Sequence, residues 1–137
     1  MGKQEVRINV ARTDMGYTAT CDQIDGWIVA VEGNFCELEK SIKESIEFYV
    51  ECAKADGEEY NHVLDGDYKL VYHFDVQSLL SYYQNIFSLA ALQYITGINQ
   101  RQLSHYLNGT SKPRPQQAMK IQRGLNNLAN ELSRISL

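Results

Sequence analysis

The chain opens on a two-residue rhythm. Val6, Ile8 and Val10 alternate with Arg7, Asn9 and Ala11, as in a strand with one dry and one wet face. Thr13-Asp14-Met15-Gly16 has the composition of a hairpin turn. Tyr17, Ala19 and Cys21 then alternate with Thr18, Thr20 and Asp22. Asp25-Gly26 offers a second tight turn, and Trp27, Val29 and Val31 carry the alternation onward. Three strands joined by short turns predict an antiparallel meander. At Gly33-Asn34 the rhythm changes. Phe35, Leu38, Ile42, Ile46, Tyr49 and Ala53 follow at steps of three and four, the apolar stripe of a helix docked on a sheet. Asn34 with Glu37 three residues later resembles a capping box. Glu39–Lys43 and Lys43–Glu47 are spaced as i,i+4 pairs on the wet face. The helix should end near Asp56-Gly57, and the polar, acidic stretch from Glu58 to Asp67 predicts a loop. Tyr68, Leu70, Tyr72 and Phe74 alternate again as a fourth strand. The expected order is βββαβ, with the helix over one face of the sheet.

The second half is helical in pattern. Ser88 is an N-cap residue, Leu92 and Ile95 mark an apolar face, and Gly97 sits at a turn. Asn99 caps a second helix in which Leu103, Tyr106 and Leu107 face inward and Gln100, Arg101, Gln102, Ser104 and His105 face out; Asn108-Gly109 ends it. A helix held by a partner, with amide and guanidinium groups near its exposed start, is what a major groove requires. An ordinary helical hairpin with a polar face has the same spacing. Further on, Ala118, Ile121, Leu125, Leu128, Leu132 and Ile135 repeat at 3,4,3,4,3 spacing. The first three suit the core of a helical domain. The last three form a seam that either pairs helices between chains or packs back onto Leu79, Leu80 or Tyr83. The fold class is therefore α+β: an antiparallel sheet with one packed helix, then an all-α region.

Charge divides the chain at the same place. Residues 1–74 carry 7 basic and 15 acidic side chains, a net of −8, whereas residues 75–137 carry 6 basic and 2 acidic, a net of +4. The whole-chain value of −4 hides this asymmetry, which points to two different partners. The basic half suits phosphate. The acidic half repels nucleic acid and suits either solubility alone or a basic protein.

Other classes find little support. No apolar run is long enough to span a membrane. The start MGKQEVRINV has no signal-peptide core, and its Met-Gly lacks the later Ser or Thr of a myristoylation signal. Cys21, Cys36 and Cys52 are an odd count without C-x-x-C spacing, expected to be reduced thiols in the cytoplasm. His62, His73 and His105 have no zinc-ligand spacing, and no cofactor or metal is expected. The first strand has no acid at its centre, while Asp22, Glu32 and Asp67 fall near strand ends or turns; a two-metal nuclease needs its carboxylates clustered. Cys21 with His73 has no supporting pattern. The chain is expected not to be an enzyme.

Gly16-Tyr17-Thr18-Ala19, then Asp25-Gly26-Trp27, then a helix rich in Glu, Lys and Ile, resemble the HicB antitoxin family over roughly residues 5–74. In that family a Pro-Gly-Cys-like turn is usual; here Asp25 replaces the proline and Trp27 the cysteine. The usual Thr-x-Glu-Glu-Ala helix start is replaced by Asn34-Phe35-Cys36-Glu37-Leu38. Leu92, Gly97, Ile98, Leu103, Tyr106, Asn108-Gly109 and Lys112-Pro113 are similar to the lambda-repressor-like, or XRE-type, helix-turn-helix that many HicB proteins carry at their C-terminus. Gln93 stands where the family usually has Ala, and Leu89 where a polar contact is common.

The resemblance implies a cytoplasmic antitoxin of a type II toxin–antitoxin system. Residues 1–74 would form a toxin-binding domain resembling a degenerate ribonuclease H fold and would cover a basic, RNA-cleaving HicA-like toxin. Residues 75–137 would bind double-stranded operator DNA and repress the operon. Gln100, Arg101 and His105 are the candidates for base edges, with Gln102 and Ser104 beside them; Ser88, Asn108, Lys112 and Arg114 are the candidates for phosphate. A homodimer would set two such helices about 34 Å apart, one turn of DNA. Two other readings remain open at this stage. One is a DNA-binding regulator whose first half senses a small molecule; the other is a metal-dependent nuclease.

Overall fold

A computed structural model describes residues 3–13, 16–31 and 34–137. The chain divides into two compact units, residues 1–74 and 75–137, at the point where the charge changes sign.

The first unit holds a four-stranded mixed sheet. Its strands are β1 (Gln4–Thr13), β2 (Gly16–Cys21), β3 (Ile24–Val31) and β4 (Tyr68–Phe74), and helix α1 (Phe35–Asp56) lies between the last two in sequence. The order across the sheet is β3-β2-β1-β4. β1 pairs antiparallel with β2, and β2 antiparallel with β3, so the expected meander is present. β4 joins the other side of β1 in parallel, so the sheet is mixed and not the antiparallel one expected; a parallel pair requires the long crossover that α1 supplies. Registers Ile8↔Cys21, Val10↔Ala19, Val6↔Leu70 and Ile8↔Tyr72 put the predicted apolar set on one face. Val6, Ile8 and Ala19 are fully buried there. The two central residues of the predicted Thr13–Gly16 turn, Asp14 and Met15, lie outside the described residues, as do Glu32, Gly33 and the Met-Gly start.

Helix α1 covers that face. The Asn34 side chain accepts from the Glu37 N–H at 2.9 Å, one half of a capping box. Leu38, Ile42, Ile46, Val50 and Ala53 are buried along it. The helix reaches β3 through Trp27, whose indole N–H donates to Ser45 Oγ at 3.2 Å. It reaches β4 through Phe35, edge-on to Tyr72 with ring centroids 5.0 Å apart, and through Glu39, which accepts from the Tyr72 hydroxyl at 3.1 Å. Burial, and then that carboxylate, push the Tyr72 phenol well above its ordinary range.

Three further expectations need correction. Val50, rather than Tyr49, fills the fourth core position of α1, and Tyr49 is only half-buried. Both lie one turn beyond Ile46, and the smaller side chain takes the inner position. Asp25-Gly26 is not the turn. The chain reverses at Asp22-Gln23, and Asp25, Gly26 and Trp27 form an irregularity inside β3, between the pairs Cys21↔Ile24 and Thr20↔Ile28. The extra residues change the parity of the strand, so Ile24 and Trp27 both face inward. Third, the acidic loop contains one turn of 3-10 helix, His62–Asp65, with Leu64 buried beneath it.

That turn is tied by Asp65. Its carboxylate accepts from the Tyr60 hydroxyl at 2.7 Å, lies 2.9 Å from His62 Nδ1 and pairs with Lys54 Nζ at 3.3 Å. These partners, the His62 hydrogen bond foremost, hold the Asp65 carboxyl down to about 2.

The second unit is four helices: α2 (Val76–Tyr82), α3 (Leu89–Thr96), α4 (Gln100–Asn108) and α5 (Pro115–Ser133). α2 packs on α4, and α3 on both α4 and α5. Leu80, Leu92, Ile98, Leu103, Tyr106 and Ile121 form the core, with Leu89, Leu107 and Leu125 packed at its edge. α5 is the longest helix of this unit, and its end runs past the core: Leu132, and Ile135 just beyond the helix, are more than half exposed.

Candidate nucleic-acid interface

The predicted pair of helices is present as α3 and α4, and its turn is built from local hydrogen bonds. The Ser88 hydroxyl accepts from the Ala91 N–H at 3.0 Å and starts α3. Gly97 ends it in the left-handed conformation, φ +74°, with its N–H donating to the Gln93 carbonyl at 2.8 Å. A side chain is strained at that φ, which accounts for glycine here. The buried Thr96 hydroxyl donates to the Leu92 carbonyl at 2.7 Å and accepts from the Ile98 N–H at 3.1 Å, so both polar atoms of the sharp bend are satisfied. Ile98 then drops into the core.

α4 begins with two side-chain caps. Asn99 Oδ1 accepts from the Arg101 N–H at 2.7 Å, and Gln93 Oε1, reaching across from α3, accepts from the Gln100 N–H at 2.9 Å. Helix N-termini leave such groups without partners inside the helix. Leu103 and Tyr106 anchor the inner face of α4. Gly109 closes the helix, and the Thr110 N–H returns to the His105 carbonyl at 2.9 Å.

The candidate residues fall into three groups. Gln100 and Arg101 are exposed side by side at the start of α4. Gln102, Ser104 and His105 are half-buried, deeper than the spacing implied. Gln102 donates to Ser111 Oγ at 3.2 Å and holds the following loop against the helix; Ser104 accepts from Asn108 Nδ2 at 3.4 Å. Lys112 and Arg114 are exposed in the loop before α5. Arg114 is the residue preceding the first turn of α5 and makes no side-chain cap, with Pro115 beginning the helix. Ser88 is also exposed, with its hydroxyl engaged in the α3 cap.

Two residues were not legible as site residues. Lys120, on α5, lies alongside the turn: its Cε is 3.6 Å from the place a β-carbon on Gly97 would occupy. It adds a cation beside the turn that leads into α4. Gln93 acts through a bond spanning seven residues and two helices, and no periodicity signals that. Leu89, expected at a polar position, packs at the edge of the core.

Among the described residues no group of three or more His, Cys, Asp or Glu side chains is placed to hold a metal ion. Cys21 and His73 lie on opposite faces of the sheet. Cys21 shares the covered face with Ile8 and Tyr72, whereas His73 pairs with Asn9 on the wet one. Burial, the dominant cause, raises the Cys21 thiol above its ordinary pKa, the reverse of what activates a nucleophile.

No helix of the described residues is long and apolar enough to cross a membrane. No protein-family model, curated protein or solved structure matches the chain. The fold and this geometry define an α+β chain of two units, the second presenting a short, capped helix on a helical scaffold.

Proposed function

We propose that the chain is a non-catalytic adaptor that binds duplex DNA through its second unit and a basic protein through its first. The observation that carries this reading is the start of α4. Gln100 and Arg101 stand exposed on a helix braced by α3, within a unit of net charge +4. Gln reads adenine and Arg reads guanine by paired hydrogen bonds in the major groove. Gln102, Ser104 and His105 line the same helix, while Ser88, Asn108, Lys112 and Arg114, joined by Lys120, supply phosphate contacts. The strand order β3-β2-β1-β4 supports reading the first unit as a degenerate ribonuclease H-like sheet. Its net charge of −8 suits a small basic partner by complementarity. Together with the sequence resemblance, these features favour a cytoplasmic HicB-like antitoxin that neutralises a HicA-like RNA-cleaving toxin and represses its own operon. The exposed Leu132 at the end of α5 and Ile135 just beyond it are the surface through which two copies pair.

The test has two arms. The purified chain should retard the fragment upstream of its own reading frame, with affinity falling steeply as salt rises. In the native host it should capture a small basic protein whose RNA cleavage it suppresses. No retardation at low ionic strength would remove the first half of the proposal, and capture of no such protein the second.

A further inference from the structure

We infer that Gln93 is a specificity-determining positioning residue, which fixes the direction of Gln100 and Arg101 by holding the first amide of α4 from the side of α3. The inference rests on the DNA-binding reading above. One residue holds both sides of the bend. The Gln93 backbone carbonyl accepts from the Gly97 N–H at 2.8 Å and ends α3. Its side-chain Oε1 accepts from the Gln100 N–H at 2.9 Å and begins α4. The neighbouring cap, Asn99 to the Arg101 N–H at 2.7 Å, comes from the turn itself and moves with it. Only the Gln93 bond, of these two caps, refers the start of α4 to a different helix. The backbone atoms it restrains belong to Gln100, whose side chain, with that of Arg101, faces solvent. Paired hydrogen bonds to a base edge depend on placement, whereas attraction to phosphate depends mainly on charge. Loss of the Gln93 bond therefore lowers discrimination between sequences more than it lowers general affinity for DNA.

Three proteins separate these effects: the unmodified chain, Gln93→Met and Gln93→Glu. Methionine keeps the length and removes the acceptor. Glutamate keeps the acceptor and adds a negative charge. The probes are a duplex selected from a random pool by the unmodified chain, and a scrambled duplex of equal length. Gln93→Met should lower the ratio of selected to scrambled affinity by about tenfold, a loss within the range of one base contact, with scrambled binding and its salt dependence unchanged. Gln93→Glu should weaken both duplexes alike and keep the ratio. Without DNA, amide exchange at Gln100 should quicken in Gln93→Met and stay slow in Gln93→Glu. Gln93 is exposed, so neither change threatens the core. A ratio unchanged in Gln93→Met, or lost equally in Gln93→Glu, overturns the inference while leaving DNA binding intact. If the unmodified chain selects no sequence at all, the DNA-binding reading falls and the inference goes with it.

Discussion

Gly124 in the middle of α5 is the position where sequence rules and the structure give opposite signs. Replacing an exposed mid-helix glycine with alanine stabilises a helix by about 1 kcal/mol. At Gly124 a β-carbon would lie 2.5 Å from the Ile95 carbonyl oxygen and 3.1 Å from both the Ile95 carbonyl carbon and Thr96 Cα. All three are backbone atoms of α3, so no side chain can rotate away. Ordinary contact returns only if α3 and α5 part by roughly 1 Å, which loosens the packing around Ile121 and Leu92. Overpacking of this kind costs about 1–3 kcal/mol, and the helix-propensity gain offsets only part of it. Gly124→Ala should therefore destabilise the second unit, by up to about 2 kcal/mol. Asn126→Ala, at an exposed position two residues along the same helix, should stabilise it by a few tenths of a kcal/mol. Urea denaturation of the full chain, with amide exchange resolved over residues 75–137, measures both. If Gly124→Ala raises stability as the Asn126 control does, the close approach of α3 and α5 is wrong, and with it the placement of the bend that α3 supports.

Arg101→Ala should weaken binding to the selected duplex by about 1–3 kcal/mol, read by fluorescence titration, because it removes a paired contact to a base; equal affinities would strip Arg101 of that role. Deleting residues 127–137 removes Leu132 and Ile135, which are 57% and 58% exposed, and should convert a dimer to a monomer by light scattering; a truncated chain that stays dimeric places the interface elsewhere. Acid should loosen the His62–Asp65 turn late. The folded Asp65 carboxyl is held at about 2, below its usual 3.8, so the stability it adds is present above 3.8 and lost as pH falls through about 2. A carboxyl titration of Asp65 by NMR with a midpoint near 3.8 would refute the three-donor arrangement.

Most of the elements were legible because burial imposes a rhythm on each. The strands and α1 declared themselves by period, and α3 and α4 by Ser88, Gly97, Asn99 and Gly109. α2 did not, for a physical reason. Its seven residues bury Ser78 and Ser81 beside Leu80, so the apolar rhythm is broken by hydroxyls. The cap was present: Asp75 Oδ1 accepts from the Ser78 N–H at 2.8 Å. Asp25-Gly26 misled because the same dipeptide serves hairpins and irregular strands, and only the pairing partner tells them apart. The site was half legible. Exposure of Gln100 and Arg101 follows from helical spacing, but the partial burial of Gln102 and Ser104 depends on Ser111 and Asn108, which fold back on them. The bond from Gln93 to Gln100 depends on the angle at the bend, and a linear pattern does not encode that angle.

The irregularity at Asp25–Trp27 lies on β3, an outermost strand of the sheet. A regular border with exposed Ile28 would invite strand-by-strand growth from one molecule to the next. Three residues without partners on β2 bend that border and put its amides out of step with any incoming ladder. The distortion that draws Trp27 into the interior thus also guards against amyloid-like polymerisation at this rim.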